Sequence, residues 1–192
     1  VNVPDLMEYT LEGVPLDQQG RTMYSERPIH GGIYEARNDV LAIVHNHSTT
    51  VVPFTVTDTP LRPIFHLAAL IGPELPVWDI RDNFQDTSML VTTMEQGRDL
   101  ARSLGDRRVA LMRGHGCVIA GKSIREVVMA SIYLQVNAGL LLESLRLGDV
   151  KYMTPGEIEL MSEGQMRPTA QERAWEYWAN RAGQGKDGDK NA

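Results

Sequence analysis

The chain has 192 residues, 42% hydrophobic and 23% charged, with a net charge of −6; this balance excludes disordered and fibrous classes and fits one domain with a substantial core. The basic residues form no stripe, so no nucleic-acid partner is expected, and no segment approaches the roughly 18 unbroken apolar residues of a membrane span. The single cysteine, Cys117, cannot close an internal disulfide; with no basic-then-apolar leader, the expected location is cytoplasmic.

The chain opens on Val1 rather than Met, which leaves room for a preceding segment whose site residues would lie outside it. One domain is expected over 1–182, followed by a mobile tail over 183–192. Met7–Leu11 reads as a short strand. From Ser25 the apolar spacing of Pro28, Ile29, Gly32, Ile33 and Ala36 predicts a helix through Arg37, so Ser25-Glu26 lies at its start. Val40–Val44 reads as a central strand covered on both faces. It runs into His45-Asn46-His47, and residues two apart on a strand project from one face about 7 Å apart, a metal-ligand spacing.

A short helix is expected over Ser48–Phe54, a further segment over Phe65–Ile71, a strand over Pro76–Ile80 and a polar loop over Arg81–Thr87. Thr93-Met94-Glu95-Gln96 is a capping box opening a helix to Leu104. Arg108–Met112 and Cys117–Gly121 read as a hairpin whose turn, Arg113-Gly114-His115-Gly116, presents a histidine between glycines. Ser123-Ile124-Arg125-Glu126 is a second capping box, opening the longest helix, to Leu147, apolar nearly all round and therefore buried on two sides. Pro155–Met161 and Pro168–Ala179 read as two more helices, the second carrying Trp175, Tyr177 and Trp178 as a docking surface.

Glu26, His45, His47 and His115 together form a constellation. Three imidazoles leave metal positions open, which suits catalysis rather than structural closure. In this order, Ser25-Glu26, Ile29-His30, Ile33-Tyr34-x-x-Arg37-Asn38-Asp39-Val40, Val44-His45-Asn46-His47 and Leu111-Met112-Arg113-Gly114-His115-Gly116 resemble the class II aldolase/adducin family over about residues 5–150. The resemblance implies a three-layer α/β/α fold with a central, mostly antiparallel sheet, in a homotetramer with active sites between subunits. It also implies one divalent metal ion on His45, His47 and His115, with Glu26 as the acid/base carboxylate. Zn, Mn, Co and Fe all suit such a site.

Departures from the sugar-phosphate aldolases redirect the expected chemistry. Tyr24 stands where those enzymes carry the first of two phosphate-site serines, leaving Ser25, and Leu67 stands where they carry a proton-donating tyrosine. The expectation is therefore the branch that decarboxylates small hydroxylated aromatic or pyridine carboxylates. In that reading His66 is a second acid/base candidate, and Tyr24, Ser25 and Arg62 are substrate contacts, Arg62 through bidentate pairing with a carboxylate. The alternatives are an aldolase, an iron-dependent oxygenase and a non-catalytic adducin-like module.

Overall fold

A computed structural model describes residues 5–184. The order is α1 (Arg27–Ala36), β1 (Ala42–Asn46), 3-10 turns over Val52–Thr55 and His66–Ile71, β2 (Val77–Trp78), α2 (Arg81–Phe84), α3 (Met94–Leu104), β3 (Val109–Met112), β4 (Gly116–Gly121), α4 (Ile124–Leu147), α5 (Pro155–Gln165) and α6 (Pro168–Gln184). Four strands form one sheet in the order β1-β4-β3-β2, antiparallel except for the β2–β3 pair.

Alternation along β3 and β4 builds the layers, because successive side chains leave opposite faces of a strand. Val109, Leu111, Cys117 and Ile119 face one core with Val127, Ala130, Leu134, Ala138 and Leu141 of α4 and the two 3-10 turns. Ala110, Met112, Val118 and Ala120 face the other, with Ile29 and Ile33 of α1 and Leu100 and Leu104 of α3. The outcome is the expected α/β/α sandwich with a mostly antiparallel sheet.

Several local expectations shift. Among the described residues β1 is an edge strand, because its neighbour on one side is β4 and it has none on the other; the strands buried along their whole length are β3 and β4. An apolar run describes both faces of a strand but not its lateral neighbours. Met7–Leu11 contributes an isolated bridge, Tyr9 to Pro15, rather than a strand. The polar loop after β2 contains the single turn α2. Thr93 and Gln96 form the expected reciprocal capping box. At α4, Ser123 Oγ accepts from the Glu126 N–H, but Glu126 accepts from the Lys122 N–H and pairs with Arg108 at 2.7 Å. α6 extends through Gly183 and Gln184, so the first two residues of the expected tail are helical, and residues 185–192 lie outside the described residues. By length and composition alone α4 could cross a membrane; its Val127, Ala130, Leu134 and Leu141 are packed on the sheet.

α1 and α3 cross backbone to backbone. A Cβ on Gly97 would come within 2.0 Å of the Pro28 carbonyl oxygen, and one on Gly32 within 2.4 Å of the Gly97 carbonyl carbon. Gly97→Ala is therefore expected to push α1 away and destabilise the fold by about 1–3 kcal/mol, the usual cost of overpacking. A lower urea midpoint at unchanged m-value is the expected reading; an unchanged midpoint would contradict this contact.

Candidate metal centre

The four constellation residues converge. His45 is on β1, and Asn46 turns the chain behind it by accepting the Ser48 N–H on its side-chain oxygen at 3.1 Å. His47, the first residue beyond the strand, is thereby brought to a ring-centroid distance of 4.9 Å from His45. His115 arrives from the β3–β4 turn, which Gly114 makes tight with φ +63°, a conformation costly for side-chain-bearing residues. The Gly114 N–H donates to the buried Thr55 hydroxyl at 2.8 Å, which anchors that turn.

Glu26 occupies the N-cap position of α1 but does not cap it with its side chain. Its carboxylate instead accepts the Val91 N–H at 3.0 Å and stands 3.4 Å from His45 Nε2, 3.5 Å from His115 Nε2 and 4.0 Å from His47 Nε2. The Glu26, His45 and His115 side chains are less than a tenth exposed, whereas His47 is 61% exposed, so the cluster opens on the His47 side.

The hydrogen bonds behind the rings fix which nitrogen faces inward. His45 Nδ1 donates to the Cys117 carbonyl and His115 Nδ1 to the Met89 carbonyl, each at 3.0 Å. With those protons on Nδ1, both Nε2 atoms present lone pairs. His47 Nε2 lies 3.0 Å from each, yet a neutral imidazole has at most one Nε2 proton to share between them. Converging lone pairs beside a buried carboxylate are relieved by a cation. Ligand bonds of about 2.0–2.1 Å in a tetrahedron imply donor–donor edges of about 3.3 Å, near the separations found here. The donor set therefore fits a divalent ion, with Glu26 near enough to be a fourth donor.

Burial holds His45 down to about 4, against the opposing pull of Glu26, so this ring is neutral, as a ligand must be. Burial, reinforced by the Glu26 charge, pushes the Tyr24 phenol up to about 12. Burial alone raises the Cys117 thiol to about 12, in keeping with the packing role expected for it.

The other expected site residues are dispersed. Ser25 is exposed beside Glu26, and Tyr24 is also exposed, with its ring edge-on to His30 at 6.1 Å. Arg62 stacks its guanidinium over Tyr152 at 4.9 Å and lines a cavity of 810 Å³ with Asp79 and Arg113; none of the four cluster residues forms its wall. His66 is exposed at the start of the second 3-10 turn, its ring edge-on to Phe65 and its carbonyl accepting from Gln165. Neither Arg62 nor His66 bonds to the cluster among the described residues. Arg113 turns to Asp79 at 2.6 Å.

Sequence reasoning missed the groups behind the candidate ligands: the carbonyls of Cys117 and Met89, the Val91 N–H and the Thr55 hydroxyl. Met89 is held at φ +69°, rare for a side chain of its size, and its N–H donates to Thr87 Oγ1. The Thr87-Ser88 pair was the available signal of a structured turn.

A family model described as Class II Aldolase and Adducin N-terminal domain matches residues 1–142. The chain is 31% identical over 195 residues to decarboxylase tropJ of Talaromyces stipitatus, an alignment covering 91% of this chain and 73% of that protein. It is 29% identical over 129 residues to 3,4-dihydroxyphthalate decarboxylase of Arthrobacter keyseri, covering 67% of this chain and 51% of that one. An L-fuculose 1-phosphate aldolase structure superposes with a TM-score of 0.72 at 21% identity, covering 85% of this chain and 73% of that chain, a likeness of fold. The chain belongs to the class II aldolase and adducin family.

Proposed function

We propose that the chain is a divalent-metal-dependent carbon–carbon lyase, and within that class a decarboxylase of a small hydroxylated aromatic or heteroaromatic carboxylate. The observation that carries the reading is the convergence of three Nε2 lone pairs on a buried Glu26 carboxylate, open to solvent on the His47 side. Similarity to two proteins named as decarboxylases supports the finer choice, as do Tyr24 and Leu67 at the positions where sugar-phosphate aldolases carry a phosphate-site serine and a tyrosine.

When bound, a divalent ion supplies Lewis acidity to the oxygen on which charge develops as the bond breaks. His45, His47 and His115 would hold it, two of them pinned by backbone carbonyls. In the proposed reaction Glu26 takes the proton of the ring hydroxyl and delivers it to the ring carbon that bears the carboxylate; the carbon–carboxylate bond then breaks, its electron pair restoring the aromatic ring and the charge on the hydroxyl oxygen, and carbon dioxide leaves. The Val91 N–H occupies Glu26 Oε1, which also faces His115, leaving Oε2 on the side of His45 and His47 for that transfer. Tyr24 and Ser25 flank Glu26 as substrate contacts. For His66 and Arg62 the proposal requires a second copy, because neither reaches the cluster of its own chain. Exposed Val136, Leu140 and Leu147 on α4 give such a copy an apolar surface to meet.

Product analysis tests this reading. Incubation with a panel of hydroxylated benzoates and pyridinecarboxylates is expected to release carbon dioxide and the ring product. Aldehyde from a hydroxy-carbonyl phosphate instead would identify an aldolase, iron-dependent oxygen consumption an oxygenase, and absence of both metal and turnover an adducin-like module.

A further inference from the structure

A second cavity, 440 Å³ in volume, lies between the outer face of α1 and the segment from Met7 to Gly13. Arg27, His30, Gly31 and Tyr34 follow the i, i+3, i+4, i+7 spacing that puts them on one face of α1, and Tyr9 and Leu11 close the opposite wall. Tyr24 and His30 meet edge to face at 6.1 Å and 73°, forming an aromatic corner that can accept a third ring in the same geometry. His30, partly buried, lines the cavity and makes no hydrogen bond among the described residues. Tyr24 stands two residues and His30 four residues from Glu26 in the chain, while Glu26 and the three cluster histidines are not part of the cavity wall.

Arg27 gives the cavity its charge. Its Nε donates to the Gly13 carbonyl at 2.8 Å, another nitrogen donates to the Tyr24 carbonyl, and the guanidinium lies over Tyr9 at 5.7 Å. Guanidinium carries five N–H groups, so these two bonds leave donors for an anion. The exposed Glu8 is the other charged residue of the wall.

We propose that this cavity binds an aromatic ring carrying an anionic group, the ring against Tyr24, Tyr34 and His30 and the anion on Arg27, and that Tyr24 determines the preference for aromatic substrates. The substrate assignment rests on the lyase reading above, whereas the binding site stands on the cavity itself. Its size suits a single substituted ring, since ligand pockets span about 300–1,000 Å³ and are mostly apolar with a few placed polar groups.

Calorimetric titration of the chelator-treated full chain with benzoate, acetate and phenol tests the site. Benzoate is expected to bind and acetate not to saturate. Tyr24→Ser is expected to weaken benzoate by about three- to tenfold, the effect of losing one aromatic partner, with Tyr24→Phe restoring it. Arg27→Gln is expected to weaken benzoate but leave phenol unchanged; if that variant does not fold, the Tyr24 pair still decides. Equal binding of benzoate and acetate, loss of benzoate binding on chelation, or indifference to Tyr24→Ser would each overturn the site. Tyr24-dependent binding without carbon dioxide release from any tested acid would leave the site standing and remove the lyase reading. Release without such binding would do the reverse.

Discussion

His115→Ala is expected to abolish metal retention and turnover while leaving the sheet intact. His115 supplies one of three converging Nε2 atoms, and its Nδ1 proton is held by the Met89 carbonyl at 3.0 Å. Loss of a partner behind a metal ligand costs roughly 10–100-fold in affinity, and loss of the ligand itself is expected to exceed that range. The variant also strands the Met89 carbonyl, a cost of about 1–3 kcal/mol if no water replaces the donor. The two effects separate by melting each protein with and without added metal. Wild type should gain stability from the ion by mass action, and the variant should not. A metal-dependent rise in melting temperature that persists in His115→Ala would show that His115 is not a ligand.

Glu26→Gln is expected to produce the opposite pattern, metal retained and turnover lost. Glutamine preserves the length of the side chain and keeps an oxygen for the Val91 N–H, 3.0 Å from Oε1 in the wild type. It cannot accept and return a proton at neutral pH. General acid–base groups contribute roughly 10²–10⁴-fold, so kcat should fall by that factor, equivalent to about 2.7–5.5 kcal/mol in the barrier. Three imidazoles remain to hold the ion, and its affinity is expected to stay within about tenfold. A parallel loss of metal and activity would make Glu26 chiefly a ligand, a role its 3.4 and 3.5 Å separations from His45 and His115 also allow.

The chemistry-bearing half of the centre was legible because it is written in side chains at telling positions. His45 and His47 are two apart at a strand end, His115 is framed by glycines in a hairpin turn, and Glu26 stands at a helix start. The other half is backbone. Any residue could supply the carbonyls of Cys117 and Met89 or the N–H of Val91, so residue type carries no trace of them, and only the folded path brings the 87–91 segment against both His115 and Glu26. The fold followed the same division. Alternating apolar residues in β3 and β4 announced two covered faces, and the Thr93 box marked the start of α3. The edge position of β1 was hidden, since hydrophobicity along a strand reports what lies above and below it, not beside it. His66 and Arg62 were assigned by chemistry alone. The turn carrying His66 packs with the α4 side of the sheet, whereas Glu26 descends from α1 on the other, which explains why one chain does not unite them.

A metal ion in the Glu26, His45, His47 and His115 cluster is expected to support loss of carbon dioxide from a hydroxylated aromatic acid. The most direct measurement is a titration of chelator-stripped protein with a divalent metal, following carbon dioxide and ring product together. Release is expected to be absent in stripped protein, to rise linearly to one metal per chain, and to match the ring product mole for mole. Release that survives stripping, or an aldehyde in place of carbon dioxide, would contradict it.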